Sequence, residues 1–276
     1  MRLDRISAPI LLALVTALFG LPLYMAAVNT FKTQAQILVD PLGFPAPFTL
    51  DNLASAFARP DHLIARGLQT SVTLVVVSVV FIVILSSAIG YYIARHNSLF
   101  SHGLQLIFMA GMMIPPQIYL IPIVQIFRTL HLIGSFYGML VVFIGGGLLS
   151  FAVFVYAGFI KNVPRELEEA ATLDGASQFQ MFWRIIFPLL RPATATVAIF
   201  LSLWIWNEFL LPLILLGPNG GVTITLGIYM SLGQLYTINY GQMFAMMMIA
   251  SFPILAFFFA FQKEFIAGLV GGALKG

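Results

Sequence analysis

The sequence predicts an all-α polytopic membrane protein, with six transmembrane helices and a cytoplasmic helix–turn–helix loop in a single transmembrane domain, residues 1–276. Three observations predict it. Of the 276 residues, 60% are hydrophobic and 8% charged, where a soluble chain carries about 25% charged residues. Several apolar runs exceed the roughly 20 residues that a helix needs to cross about 30 Å of hydrocarbon. The runs do not alternate as barrel strands do, and lipid leaves open backbone groups without partners, so helices are the spanning element.

Taken in order, the first span covers residues 8–28. Arg2 and Arg5 precede it as in a secretory signal, but the run is longer than the apolar core of a cleaved signal. It therefore reads as an uncleaved anchor. Residues 29–66 form an external segment that Pro41, Pro45, Pro47 and Pro60 make irregular though ordered. The second span is 67–94. The third, 104–127, is interrupted by Pro115, Pro116 and Pro122. Carbonyls freed by proline are tolerated where protein or a water-filled path lines them. Gln117, Tyr119 and Gln125 would then face a pathway, or the kink serves packing alone. The fourth span, 136–159, carries Gly145-Gly146-Gly147, which suits close helix approach more than a hinge. The fifth is 193–216 and the sixth 243–261. Between them GPNGG signals a turn, and the semi-apolar stretch after it is expected against the outer membrane surface.

Lysine and arginine set the expected orientation. With the N-terminus inside, nine of the thirteen fall on the cytoplasmic side, among them Lys161, Arg165, Arg184, Arg191, Lys263 and Lys275. Lys32, Arg59, Arg66 and Arg128 fall outside. Both termini and the loop 161–191 are thus expected in the cytoplasm.

That loop holds four of the ten acidic residues and four of the thirteen basic ones. Asn162 and Pro164 predict a helix start, and Glu166, Glu168 and Glu169 suit its positive end. Asp174-Gly175 predicts a stop with glycine in the left-handed conformation. Ser177 is placed to cap a second helix. On it Phe179, Phe182, Trp183, Ile186 and Leu190 share one face, away from Gln180, Arg184 and Arg191. Such a hairpin can rest on lipid headgroups or dock on a protein. Three glutamates beside the small Ala170 and Ala171 suit a close protein contact better than an anionic membrane surface.

Glu208, in WIWNEFLLP, puts a carboxylate in the fifth span, where it is costly and a site candidate by default. At helical spacing Trp204, Asn207, Glu208 and Leu211 share a face. A ring beside hydrogen-bonding groups suits a sugar, whose C–H face stacks and whose hydroxyls need partners. A structural hydrogen bond to another helix would use the same residues.

Other chemistries are excluded. Cysteine is absent, so there is no disulfide or thiolate site. His62, His96, His102 and His131 lack metal-ligand spacing, and no catalytic constellation appears. The net charge of +3 is scattered and does not suggest nucleic acid. Without a G-x-x-x-x-G-K-[ST] phosphate loop, ATP is not bound in the usual way. A lone ionisable residue within the spans and the lack of internal repeats argue against a stand-alone secondary transporter.

Glu169-Ala170-Ala171, Gly175 six residues after the glutamate, Ile185 and Pro188 resemble the EAA motif of bacterial ABC-importer permeases. Phe187 stands where that motif has leucine. NTFKTQAQIL and FTLDNLASAF in the external segment, WNEFLLPLILL, and the terminal QKEFIAGLVGGALKG are similar to maltose-type carbohydrate permeases, in their second, six-helix subunit. The resemblance implies a multi-pass, non-enzymatic subunit of the bacterial inner membrane. It would form half of the translocation pathway for a carbohydrate, with a polyol or glycerol phosphate as the alternative cargo. The implied partners are a homologous second permease, two ATPase subunits, an extracytoplasmic solute-binding protein, the sugar and membrane lipid. This chain would bind no cofactor; ATP and Mg would sit on the ATPases. Glu169, Ala170, Ala171, Asp174, Gly175 and Pro188 would couple to them: Glu169 by pairing with a basic residue, the alanines by allowing close approach, and Gly175 by supplying the turn. The tail after Gln262 would also approach the ATPases. WNEF recurs in the family irrespective of sugar, which favours the structural reading of Glu208.

Overall fold

The computed structural model describes residues 4–217, 221–232 and 238–273, with side chains for those within 9–262. Pro218–Gly220 of the expected turn, the side chains of Arg2 and Arg5, and those of the tail beyond Gln262 lie outside the described residues.

The chain is built of helices, and no strand occurs among the described residues. In chain order these are α1 (Asp4–Thr30), α2 (Gln34–Val39), α3 (Asp51–Phe57), α4 (Leu63–Arg95), α5 (Leu99–Met113) and α6 (Pro116–Thr129). Next come α7 (Phe136–Gly145), α8 (Gly147–Ile160), α9 (Glu166–Leu173) and α10 (Gln178–Gln180). A π-helical turn (Met181–Ile186) leads into α11 (Phe187–Leu189), α12 (Arg191–Asn207) and α13 (Leu210–Leu215). α14 (Ile224–Ser231) and α15 (Tyr240–Ala273) complete the chain. Among the described residues four helices are long and apolar enough to cross a membrane, and six spans result if each of two bent pairs counts as one.

Three expected spans are interrupted, each for a visible reason. In the third, α5 and α6 diverge by 100°. Residues that precede proline avoid the helical region, and Ile114 and Pro115 are both extended, with ψ of 114° and 138°. In the fourth, Gly146 is extended between α7 and α8. In the fifth, Glu208 is extended (ψ 127°) and separates α12 from α13.

The chain forms two compact units. The first joins the residues up to Leu68 with Ile224–Ala256. Here residues 29–66 are held without a sheet, because side chains satisfy the backbone at the bends. Asn29 donates to the carbonyls of Met25 and Pro41, at 2.9 and 3.0 Å. Lys32, only 1% exposed, donates Nζ to the Asp40 carbonyl at 2.8 Å. Asn52 donates to the carbonyls of Thr30 and Lys32. Gln34 donates to the Ile238 carbonyl and accepts from the Tyr240 N–H. Arg59 pairs with Asp61 at 2.7 Å, and its hydrogen bonds hold the Asp61 carboxyl below the usual carboxylate range.

The second unit comprises Gln69–Thr223 and the chain from Phe257. One core gathers Ile82, Tyr156, Ile160, Met181, Phe182, Ile186, Leu190 and Leu201. Another gathers Leu74, Phe127, Met139, Phe143, Leu211 and Leu215. Helices in lipid associate by close packing at small residues. A Cβ on Gly90 would lie 2.8 Å from Cβ of Tyr156, and one on Gly111 would lie 2.8 Å from Oγ of Ser150. These two glycines set α8 against α4 and α5. Of the expected Gly145–Gly147 cluster, Gly147 faces the Gly111 carbonyl, Gly145 faces open space, and Gly146 breaks the helix.

Candidate functional site

The loop after α8 builds a small hairpin with a capped turn between its two helices. Its first helix begins later than Asn162 and Pro164 suggest, since Asn162 donates back to the Gly158 carbonyl at 3.0 Å and Arg165 is the residue before Glu166. At the other end Gly175 adopts φ of +81°. The Gly175 N–H meets the Thr172 carbonyl and the Ala176 N–H meets the Ala171 carbonyl. These paired bonds form the Schellman motif, which requires a left-handed residue and so favours glycine. Ser177 then caps the second helix reciprocally with Gln180, each side chain bonding the other's N–H.

The two faces of α9 differ sharply. Glu166, Glu169, Ala170 and Leu173 are exposed, Leu173 by 89%. Spaced three and four residues apart, they form one stripe. Ala171 is buried against Met181, Phe182 and their neighbours, so Ala170 alone of the two alanines reaches the surface. Asp174 and Gly175 are exposed at the turn, and Pro188 is exposed in α11 just before the bend into α12. In the second helix Met181, Phe182, Ile186 and Leu190 point inward, while Phe179 is 74% exposed. The π-helical turn is the reason: its wider spacing shifts the register, so the face read at α-helical spacing does not continue from Phe179.

The inward face carries a network that sequence reasoning missed. Glu168 Oε1 accepts from Arg95 Nε at 2.5 Å, and Oε2 accepts from the Tyr91 hydroxyl at 2.9 Å. Arg95 NH2 also donates to the Val163 carbonyl at 2.9 Å. The two charged side chains are 8% and 16% exposed. The available signal was charge at the same boundary: Arg95 ends α4 and Glu168 lies in the loop, both on the expected cytoplasmic side.

A cavity of about 310 Å³ lies among the broken spans. Tyr119, Trp204, Glu208, Phe200, Met113 and Pro116 are among its lining. Tyr119 of the third expected span therefore meets Trp204, Glu208 and Leu211, three of the four residues expected to share a face in the fifth. Asn207 does not join them: it is exposed and donates to the Leu203 carbonyl of its own helix at 2.7 Å. Gln117 and Gln125 are exposed and line neither this cavity nor its neighbour around Tyr119 and Gly146. Glu208 Oε1 accepts from the N–H groups of Leu210 and Leu211, at 2.9 and 3.1 Å. The carboxylate thus caps α13, whose first N–H groups lack partners within the helix. Among the described residues that line the cavity, Glu208 is the only charged one. Among the described residues no three His, Asp or Glu side chains converge as metal ligands.

Comparison with known proteins agrees with this architecture. Residues 86–269 match the family described as binding-protein-dependent transport system inner membrane component. The "Probable starch degradation products transport system permease protein" of Thermoanaerobacterium thermosulfurigenes is 34% identical over 254 residues, 92% of this chain and 91% of that one. The multiple sugar-binding transport system permease protein of Streptococcus mutans is 33% identical over 275 residues, 96% and 95% of the two chains. A crystal structure of a bacterial ABC transporter involved in import of the acidic polysaccharide alginate contains a chain of the same fold. It superposes with a TM-score of 0.84 at 18% identity, covering 95% of this chain and 98% of that one. The chain belongs to the inner-membrane permease components of binding-protein-dependent ABC transport systems.

Proposed function

We propose that this permease forms half of the translocation pathway of a carbohydrate importer and couples to separate ATPase subunits through the exposed face of α9. All 276 residues would act as one transmembrane domain with both termini in the cytoplasm. The partners are a homologous second permease, two ATPases holding ATP and Mg, and an extracytoplasmic protein that delivers the sugar. The chain performs no covalent chemistry.

The observation that carries the coupling assignment is the stripe of Glu166, Glu169, Ala170 and Leu173. It is acidic, small in the middle and apolar at its end, on a helix whose opposite side turns Glu168 and Ala171 inward. Glu169 offers a charge-assisted bond to a basic residue, Ala170 allows close approach, and Asp174, Gly175 and Pro188 shape the hairpin from within. Ala171 contributes by packing. In a reconstituted complex, Glu169→Lys is expected to abolish substrate-stimulated ATPase activity while the protein still inserts. Full stimulation in that variant would remove the coupling assignment.

The cavity and the names of the relatives favour a carbohydrate, an oligosaccharide or disaccharide, over a phosphorylated polyol. Trp204 and Tyr119 supply rings on which a sugar can stack. Trp204→Ala is expected to raise the half-saturating sugar concentration about three- to tenfold, the size of a lost aromatic contact. An unchanged uptake curve would place the sugar elsewhere.

A further inference from the structure

The pair formed by Arg95 and Glu168 lies off the exposed face of α9 and outside the cavity, so neither assignment above uses it. We propose that this pair is the link through which displacement of the loop is delivered to α4, which makes Arg95 and Glu168 positioning residues of coupling. The inference rests on the docking reading of α9.

Chain connectivity offers no such route, since 73 residues separate the two partners. The pair supplies one directly. Arg95 is the last residue of a helix unbroken over 33 residues, a rod of about 50 Å. Its guanidinium bonds Glu168 through Nε and the Val163 carbonyl through NH2, so it holds both the helix and the strand of chain leading into it. Tyr91, one turn earlier on α4, engages the second oxygen of Glu168. Two points on the rod therefore grip one carboxylate, which fixes orientation as well as distance, the advantage of a planar guanidinium over an ammonium. Little water reaches either charge. Sliding α9 along α4 would leave both unpaired in a shielded place, which costs more than moving the rod with the loop. Phe182 closes the remaining gap, its ring centroid 5.3 Å from that of Tyr91. Force arriving at Glu169 on the outer face would thus leave through its sequence neighbour Glu168 on the inner face.

The test uses the complete reconstituted transporter, with its ATPases and binding protein, and reads sugar transported per ATP hydrolysed. Arg95→Met combined with Glu168→Gln removes both charges and leaves no lone buried ion. It is expected to lower that ratio at least about fivefold, the lower end of usual coupling strengths. The ATPases should still co-purify and thermal stability should hold. Arg95→Lys, which keeps the charge but loses the fork, should fall between. An unchanged ratio in the double variant would overturn the proposal. So would loss of the ATPases from it, because the pair would then build the dock and transmit nothing. Glu169→Lys, run alongside, separates the two ideas: full coupling there refutes docking, whereas uncoupling there beside an intact double variant refutes only the link.

Discussion

Gly175 is the residue at which sequence and structure agree most closely. An Asp-Gly step after an apolar, glutamate-rich run asks for a helix stop, and the backbone answers with φ of +81° and both bonds of a Schellman turn. A Cβ there would meet nothing within 4 Å, so the demand is purely conformational. Gly175→Ala should cost about 1 kcal/mol, and Gly175→Asn less, because asparagine tolerates the left-handed region. Thermal unfolding in detergent ranks the three, and equal stability would show that the turn can relax. Glu168 marks the opposite case. Three glutamates in four positions are legible as a favourable helix start, but their local pattern carries no sign that the middle one turns inward to Arg95. Glu208 lies between these extremes: its cost in a span was evident, whereas its use as a cap was hidden by the assumption that the helix ran on.

The elements themselves were visible as apolar runs, and their interruptions were only partly so. Proline announced the break between α5 and α6, but its 100° size depends on packing that no local window contains. The break at Glu208 lies four residues before Pro212, whose ring would clash with the carbonyl of residue 208 in a continuous helix and offers it no N–H; the Glu208 side chain then serves the N–H groups of Leu210 and Leu211. The π-helical turn, which ends two residues before Pro188, left Phe179 at the surface. Close helix approach was expected at the triple glycine, yet Gly90 and Gly111 are the tight points, because α8 presents Tyr156 and Ser150 there. Gly90→Leu should force α4 and α8 apart, reducing folded protein in the membrane by several-fold, since overpacking typically costs about 1–3 kcal/mol. Gly145→Leu, with open space around it, should be tolerated. Size-exclusion profiles of the two variants would decide it, and equal behaviour would contradict the packing described.

At the scale of the whole molecule, composition alone identified a polytopic membrane chain, and the dependence on separate ATPase subunits proposed above has a direct test. A tagged chain drawn gently from native membranes should bring ATPase subunits with it and, stripped of them, hydrolyse no ATP. Recovery of the chain alone at full transport competence would refute that dependence. Much of its surface also expects company: from residue 9 to residue 28 of α1 no residue is buried by the chain itself. The loop is the contrast. Its turn, its reciprocal cap and its buried ion pair are all made from residues of this one chain. A docking segment that is shaped only on contact must lose its freedom at that moment, about 0.5–1.5 kcal/mol for each side chain immobilised. This hairpin has already lost it during folding. In the proposed complex, assembly would begin from a finished surface, and an ATPase that left it would find the same seat on its return.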